Sequence, residues 1–337
     1  MQKTHKNFES LLIVSFGGPE KKEDVIPFLE NVLRGKNVPR ARLEEVAEHY
    51  YHFDGFSPIN RQVLELKQAI ESELREHDIN LPVFVGNRNW HPFLSDTVAE
   101  MKKQGIQRSL AFFTSAYSCY SGCRQYRENI ADAQAHTGEG APVIQKLRMF
   151  YNHPLYIQAS VSRVRDAIEE LQLDSDAPLT LLFSAHSIPI SMADNCNYVN
   201  QLTETSRLVA EHFPQANWEL VFQSRSGPPH QPWLEPDVCD RIEELGQEGT
   251  KNIVIMPVGF LSDHMEVLFD LDTEAQEASE EAGIKMARAK TVGTHPDFIS
   301  MIRMLIQERT EGAEKQHVGE LPCPYDVCPE NCCLSGR

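Results

Sequence analysis

Two histidines and a glutamate in the second half of the chain stand where they could carry proton or metal chemistry. His186 follows an apolar run, and a second apolar run leads into His264 and Glu266. A neutral imidazole accepts a proton or holds a transition metal, and a nearby carboxylate does either job while balancing charge. We therefore take His186 and Glu266 as the leading candidate pair, against the alternative of a histidine that serves only as a structural hydrogen-bonding residue.

A row of carboxylates begins at the same glutamate. Glu266, Asp270 and Glu274 recur every four residues, a spacing that stacks side chains along one face of a helix. Like charges at this spacing repel one another and cost stability. The row is therefore either a solvated helix face or a path for cations, and the spacing alone leaves both interpretations open.

Half of the cysteines crowd the end of the chain. There are eight in 337 residues, too few for a disulfide scaffold, and Cys323, Cys328, Cys332 and Cys333 fall within the last fifteen residues. Prolines interleave with them, which predicts an irregular loop. Thiolates at such spacing hold zinc or an iron–sulfur cluster, and a tail of free thiols is the third possibility.

Alternating apolar runs and amphipathic stretches predict the elements that position these residues. The runs cover residues 11–16, 81–86, 110–115, 179–184, 219–223 and 253–258, and helical patterns cover residues 43–49, 63–74, 94–104, 155–171, 199–213 and 238–246. Apolar strands separated by helices indicate parallel sheets covered on both faces. Since the pattern occurs in both halves, we predict an α/β fold with two such sheets. Ligands of these folds bind beyond the carboxyl ends of the strands, where His186 and Glu266 fall.

Composition and charge exclude several classes of protein. The formal net charge is −17, with 41% hydrophobic and 24% charged residues, so a nucleic-acid backbone would be repelled. No run approaches the roughly 20 apolar residues of a membrane-spanning helix, and the first twelve residues lack the features of a secretory signal. We expect a cytoplasmic protein with no nucleic-acid partner and no stable membrane insertion.

Five longer motifs resemble those of the ferrochelatases and together extend over nearly the whole chain. They are LLIVSFGGPE at residues 11–20, FSPIN at 56–60, LLFSAHSIP at 181–189, VFQSRSGPPHQPWLEP at 221–236 and MPVGFLSDHMEVLFDLD at 256–272. The resemblance implies a class II chelatase-like fold, two Rossmann-like lobes with the porphyrin in the cleft between them. We expect the N-terminal lobe at residues 1–147, the C-terminal lobe at 148–298, and a C-terminal helix with the Cys-rich tail at 299–337 that packs back on the first lobe.

The resemblance also implies the reaction and its residues. The family inserts Fe(II), as substrate, into a porphyrin during heme biosynthesis, so a downstream heme-pathway enzyme is a possible partner. His186 matches the histidine implicated in pyrrole deprotonation and iron binding, and Glu266 matches the glutamate close to it. His264, Asp270 and Glu274 match a route for protons or metal. Phe16 stands where some members place a Tyr or Met, and because phenylalanine cannot ligate iron we expect an apolar wall there.

The same resemblance favours an iron–sulfur cluster over zinc. Many members hold a 2Fe–2S cluster on three C-terminal cysteines and one interior cysteine in a Tyr-Ser-Cys context, which here is Tyr117-Ser118-Cys119. The expected ligands are Cys119, Cys323, Cys328 and Cys333, with Cys332 as a rival of Cys333 and Cys123 as a weaker rival of Cys119. A staple that ties the tail to the first lobe is the expected role of the cluster.

A charged segment bears on which porphyrin is bound. Residues 31–45 match the apolar lip of membrane-associated members, but here they carry four basic residues, which suit four propionates better than two propionates and two vinyls. We expect coproporphyrin III, as in the soluble enzymes of actinobacterial type, with protoporphyrin IX as the alternative. A tetrapyrrole carrier or sensor without turnover, or a chelatase for cobalt and sirohydrochlorin, are further alternatives. The candidate porphyrin contacts are Phe16, Arg34, Tyr51, Ser57, Arg88 and Tyr117, and Lys36 and Arg40 are further propionate candidates, each with a plain surface role as its alternative.

Overall fold

The structure is a computed structural model that describes residues 8–35, 38–174, 177–228 and 230–336. Lys36, one of the propionate candidates, lies outside the described residues. The strands are β1 (Ser10–Ser15), β2 (Val83–Asn87), β3 (Arg108–Phe113), β4 (Val143–Lys146), β5 (Thr180–His186), β6 (Asn217–Gln223), β7 (Asn252–Met256) and β8 (Lys285–Arg288).

The helices alternate with these strands, as the sequence predicted. They are α1 (Lys22–Val32), α2 (Arg40–His52), α3 (Ile59–Glu76), α4 (Leu94–Lys103), α5 (Gln125–Thr137), α6 (Pro154–Leu171), α7 (Ile190–Ala193), α8 (Tyr198–Ala210), α9 (Val238–Gln247), α10 (Met265–Phe269), α11 (Ala275–Glu281) and α12 (Pro296–Thr310). Two π-helical turns, Tyr120–Arg124 and Asp270–Glu274, precede α5 and α11. None of the helices in the described part of the chain is both long and apolar enough to cross a membrane.

The chain divides into two compact units. The first unit comprises Met1–Thr114, Gln125–Leu147 and Ile302–Glu314. The second unit comprises Ser115–Arg124, Arg148–Met301 and Lys315–Arg337. Each unit contains one sheet, so each can be described on its own.

A parallel four-stranded sheet forms the centre of the first unit, in the order β2-β1-β3-β4. Ile13 in β1 is fully buried and pairs with Val85 and Phe112 of the neighbouring strands. Residues with this apolar character form a central strand because helices cover both faces of the sheet.

The second unit repeats this arrangement in the order β6-β5-β7-β8, again with all strands parallel. The predicted fold class, two parallel sheets flanked by helices, is confirmed. The six predicted strands are also confirmed. Two edge strands, β4 and β8, were not predicted, because each has four residues of mixed polarity and an edge strand need not be apolar on both faces.

Amphipathic helices close the core of the second unit. Val238, Ile242 and Leu245 of α9 recur at helical spacing and pack against Leu182 of β5 and Val221 of β6. Removing such a side chain from water stabilises the fold by about 1.5–3 kcal/mol. Burial of this core holds β5 and β6 in register, and both strands end at residues of the candidate site.

The tail after α12 forms turns and irregular loop, as predicted, and several hydrogen bonds fix it to the second unit. Glu204 of α8 accepts hydrogen bonds from the backbone N–H groups of Glu320 and Leu321. Gly319 has a φ of +84°, and a Cβ there would lie 2.1 Å from Glu204 Oε1, so only glycine allows this approach. Arg148 is buried and donates to the carbonyl of Gln316 at 2.7 Å.

The attachment of the tail should depend on the charge of Glu204. Burial acts to raise the pKa of this carboxyl, but the N–H of Glu320 and the guanidinium of Arg207 outweigh it and lower the pKa. A carboxylate with a lowered folded-state pKa contributes stability above its ordinary pKa of 4.5 and loses it as the pH falls through the folded value. We expect Glu204→Gln to weaken the attachment by about 1–3 kcal/mol and to increase hydrogen exchange in the tail, measured by mass spectrometry.

Glu211→Gln is the matched control, because Glu211 is the more exposed carboxylate partner of the same arginine, Arg207. We expect wild-type-like exchange in this variant. Tail exchange in Glu204→Gln that equals that of the control would show that Glu204 does not hold the tail.

Candidate active site

His186 is the last residue of β5 and is partly exposed. Its Nδ1 lies 2.5 Å from the carbonyl oxygen of Ser187. A carbonyl only accepts hydrogen bonds, so Nδ1 carries the proton and donates it, and in the neutral ring Nε2 retains its lone pair. The geometry of this turn therefore fixes the tautomer that can accept a proton at Nε2.

Glu266 faces that lone pair, with Oε2 3.9 Å from His186 Nε2. The loop between β7 and α10 brings the two together, and its approach to β5 requires a glycine. The N–H of Gly259 donates to Ser184 at 3.0 Å, and a Cβ on Gly259 would lie 2.7 Å from Ala185. The predicted pair is thus assembled in one unit, at the carboxyl ends of neighbouring strands.

An arginine fixes this loop from outside. Arg288 donates to Asp263 at 2.7 Å and to Asp272 at 2.8 Å, so one guanidinium joins the residues on either side of α10. Asp263 also accepts from the backbone N–H of Thr291 at 3.3 Å. Bidentate and charge-assisted bonds of this kind restrict geometry as well as contribute stability. Here they fix both ends of the helix that carries Glu266.

Asp270 is half-buried and lies four residues after Glu266, at the start of the π-helical turn. It accepts hydrogen bonds from Gln223 Nε2 at 3.1 Å and from the hydroxyl of Ser224. Burial, and then the charges of Glu266 and Glu274, raise the pKa of Asp270 from 3.8 to about 7. At neutral pH this carboxyl is therefore divided between its acidic and basic forms, as a proton relay requires.

The carboxylate row continues to the surface. Asp270 and Glu274 begin and end the π-helical turn, and such turns often occur at functional sites. Burial, followed by the charge of Asp237, raises the pKa of Glu274. Glu274 lines an open surface cavity of about 410 Å³, whose other lining residues are Asp237, Cys239, Glu243, Glu277, Ala278 and Glu281.

His264 precedes the helix that carries Glu266. Its ring lies edge-on to Phe260, with centroids 5.0 Å apart. Burial lowers the pKa of His264, as does the charge of His186, while Glu266 acts to raise it. The lowered pKa favours a neutral imidazole beside the pair.

Several residues of this site were not singled out from the sequence. Gln223 ends β6 and Ser224 follows it with a left-handed φ of 61°, a conformation that a residue other than glycine adopts at some cost. Both serve Asp270. The available signal was the pair of polar residues directly after an apolar strand, and the same rule that identified His186 would have found them.

The aromatic and basic candidates in the first unit lie after β1 and β2. Phe16 packs edge-on against Phe28, with centroids 6.1 Å apart. The guanidinium of Arg88 lies 5.6 Å from the centre of the Phe16 ring and 4.6 Å from that of Tyr126, and its Nε donates to Asn129 at 2.6 Å.

The other candidate porphyrin contacts of the first unit lie in or beside its helices. Arg34 donates to Asn31 at 2.6 Å, and Arg40 pairs with two glutamates on the surface. Ser57 is buried, and Tyr51 in α2 is partly exposed.

Tyr117 belongs to the second unit and is fully buried. Its hydroxyl donates to the carbonyl of Val258 at 3.1 Å and lies 3.3 Å from the hydroxyl of Tyr156. Tyr156 donates to the same carbonyl at 3.2 Å. The carbonyl of Val258, at the start of the loop that leads to Glu266, therefore has two phenol donors, and either one alone satisfies it.

The cysteines of the tail meet interior cysteines within the second unit. Cys333 is buried and interacts electrostatically with Cys332, Cys196 and Cys119. Cys323 interacts electrostatically with Tyr151. Among the described residues, no three His, Cys, Asp or Glu side chains are arranged to hold a metal ion.

The turn that bears Cys119 also binds the tail backbone. The N–H of Gly122 donates to Cys119 Sγ at 3.1 Å. Arg124 donates to the carbonyls of Glu330 and Cys332 at 2.9 and 3.0 Å. Cys196, which the sequence did not single out because no local motif marks it, also interacts electrostatically with Cys119 and Cys333.

Two parallel α/β units, with an imidazole–carboxylate pair at the strand ends of one of them, define a protein of the chelatase-like fold class. The chain is similar to SirB from Bacillus subtilis with Fe3+, with a TM-score of 0.55, 14% identity and coverage of 91% of this chain and 98% of that one. It is also similar to CbiX, the terminal enzyme of siroheme biosynthesis in denitrifying bacteria, with a TM-score of 0.51 and 14% identity over 88% of this chain and 98% of that one. These likenesses show the fold alone.

The chain belongs to the ferrochelatase family, whose model matches residues 9–310. A ferrochelatase of Rhodopirellula baltica is 56% identical over 329 residues, which are 97% of this chain and 93% of that protein. A coproporphyrin III ferrochelatase of Nocardia farcinica is 47% identical over 342 residues, which are 98% of this chain and 97% of that protein. The resemblance seen in the five motifs is thereby confirmed.

The raised pKa of Asp270 predicts how stability depends on pH. A carboxyl whose folded-state pKa is about 7, against an ordinary 3.8, contributes stability that is present below the ordinary value and is lost as the pH rises through 7. We expect Asp270→Asn, which keeps an acceptor oxygen, to remove this loss. In thermal unfolding, the Tm of the variant relative to wild type should rise between about pH 4 and pH 8.

Asp132→Asn is the control, because Asp132 is exposed on α5 of the first unit. Its Tm difference from wild type should not change over the same range. A constant difference for Asp270→Asn as well would mean that Asp270 is not held in a raised-pKa state.

Proposed function

We propose that this protein inserts ferrous iron into coproporphyrin III to give coproheme. The observation that carries the proposal is the His186–Glu266 pair, with Nε2 and Oε2 3.9 Å apart and the proton of the ring held at Nδ1. Membership of the ferrochelatase family supplies metal insertion into a porphyrin as the reaction class. Iron and porphyrin are both substrates of this reaction.

Metal insertion is in part a deprotonation. A free-base porphyrin loses two pyrrole protons as Fe(II) enters, so the site needs an unprotonated base and a route by which the protons leave. In this proposal Nε2 of His186 accepts a pyrrole proton, and the carboxylate of Glu266 stabilises the imidazolium that forms. The proton passes from Nε2 through Glu266 to the carboxylate row, and Nε2, again unprotonated, accepts the second pyrrole proton in the same way. After both protons have left, His186 and Glu266 contact the metal.

The carboxylate row gives the protons a way out. Asp270, with a pKa of about 7, accepts a proton and releases it again at neutral pH, whereas an ordinary carboxyl would hold it too weakly. Glu274 passes it to the acidic surface cavity. The same oxygen ligands suit a divalent cation, so supply of Fe(II) along this row is the second interpretation.

The choice of porphyrin follows from charge. Arg34 is exposed on the first unit, and basic side chains attract four propionates more strongly than two. Relatives named coproporphyrin III ferrochelatase are 47% identical in Nocardia farcinica and 45% identical in Streptomyces coelicolor, over 98% and 97% of this chain. Protoporphyrin IX is the alternative substrate.

A comparison of the two porphyrins tests the proposal. We expect anaerobic incubation with Fe(II) to give many turnovers, followed by Soret absorbance, and a higher kcat/KM for coproporphyrin III than for protoporphyrin IX. His186→Ala should lower kcat by about 10²–10⁴-fold because it removes the base, while porphyrin binding, measured by fluorescence quenching, survives.

Different outcomes separate the alternatives. A single stoichiometric Soret shift without turnover would indicate a carrier or sensor. Preference for protoporphyrin IX would exclude the coproporphyrin assignment but leave metal insertion intact. Near-normal turnover by His186→Ala would remove His186 from the mechanism.

We also propose that Cys119 and the tail cysteines hold a 2Fe–2S cluster. The support is the family resemblance, which implies Cys119, Cys323, Cys328 and Cys333 with Cys332 as a rival, and the electrostatic contact between Cys333 and Cys119. Four thiols are the right donor set for such a cluster. When bound, it would join the tail to the turn at Cys119 as a structural staple.

Iron and sulfide analysis tests this assignment. We expect anaerobically purified wild-type protein to contain iron and acid-labile sulfide and to absorb in the visible range. Cys119→Ser and Cys333→Ser should lose all three properties, while Cys239→Ser, which alters a thiol in α9 beside the acidic cavity, should keep them. Zinc in place of iron, or an unchanged spectrum in Cys119→Ser, would contradict the proposal.

A further inference from the structure

A buried tyrosine donates a hydrogen bond to the backbone of His186. The hydroxyl of Tyr198 lies 3.1 Å from the carbonyl oxygen of His186. Tyr198 is 6% exposed and is the first residue of α8. Both residues belong to the second unit.

The topology of the sheet explains why this carbonyl needs a donor from outside it. Carbonyls of alternate residues on a strand point to the same side. On the β7 side of β5, the carbonyl of Ser184 accepts from Gly259 at 3.0 Å. Beyond Gly259 the loop after β7 turns back on itself, and the next N–H, that of Phe260, donates to the carbonyl of Pro257 at 3.0 Å. The hydroxyl of Tyr198 takes the place of the missing strand donor to His186.

The peptide that Tyr198 holds also sets the orientation of the imidazole. On the other side of the strand, the N–H of Ser187 donates to Gln223 at 2.8 Å. The ring of His186 in turn donates from Nδ1 to the carbonyl of Ser187. A shift in the peptide between His186 and Ser187 therefore changes both the ring position and the tautomer.

Tyr198 is itself held at fixed points. Its backbone N–H forms a hydrogen bond with Cys196. Its ring lies edge-on to Tyr117, with centroids 6.2 Å apart at 89°. The hydroxyl is thus presented from a packed helix terminus, which restricts its position more than a loop would.

We propose that Tyr198 is a positioning residue that holds the backbone of His186 so that Nε2 faces the reacting centre. The inference deepens the proposed function and rests on it for its catalytic consequence. Misplacement of a catalytic group by a fraction of an ångström lowers the rate of the chemical step without altering the groups that bind substrate.

Tyr198→Phe tests the proposal, because it keeps the ring and removes the hydroxyl. We expect kcat for iron insertion to fall by about 10-fold, with KM for the porphyrin unchanged. We also expect the ¹⁵N shifts of His186, assigned by comparison with His186→Ala, to move away from the pure Nδ1–H tautomer. Tyr198→Met removes the hydroxyl as well and serves if the phenylalanine variant does not fold.

Tyr156→Phe is the matched control. It removes a buried phenol hydroxyl from the same unit, but its acceptor, Val258, keeps the bond from Tyr117. The control should retain the kcat and the His186 shifts of wild type. Unchanged kcat and shifts in Tyr198→Phe, or an equal loss in Tyr156→Phe, would overturn the inference. The ¹⁵N readout needs no turnover, so absence of insertion by wild-type protein would count against the proposed function alone.

Discussion

The short hydrogen bond from Nδ1 of His186 to the carbonyl of Ser187 decides what the site can do. The bond places the proton of the ring on the side of the backbone, so the lone pair at Nε2 remains available beside Glu266. In the opposite tautomer Nε2 would carry the proton and would have no lone pair with which to accept another. The tautomer depends in turn on the backbone of the turn after β5. The surrounding elements, β6, the loop after β7 and α8, all hold that turn.

Two features of the site lower the stability of the folded state. Asp270 is half-buried near two other carboxylates, and after burial the charge of each raises its pKa further, so ionising it costs the folded state free energy. Ser224 adopts a strained backbone conformation to reach the same carboxyl. Arg288 pairs instead with Asp263 and Asp272, on either side of α10. Local departures of this kind are expected where a fold serves a function.

The sequence predicted most of the architecture and the centre of the site, for definite physical reasons. Strands buried on both faces must be apolar throughout, so β5 and β7 are visible as runs. The rule that ligands bind at the carboxyl ends of parallel strands then brings His186 and Glu266 together. The short edge strands β4 and β8 carry no such constraint and were missed. Tyr198 and Cys196 have no signal in sequence, because their contacts depend on where α8 packs.

The tail is held both by interactions of its cysteines and by charge-assisted hydrogen bonds to its backbone. Burial raises the pKa of the Cys196 thiol to about 11 and raises that of Cys333 as well, so at neutral pH both are uncharged. Thiols that ligate a metal must lose these protons. While they remain protonated, the thiols contribute little to holding the tail in place. Charge-assisted bonds at Glu204 and Arg124 do not share that requirement. They hold the tail backbone near Cys119 and therefore lower the entropic cost of bringing the cysteines together.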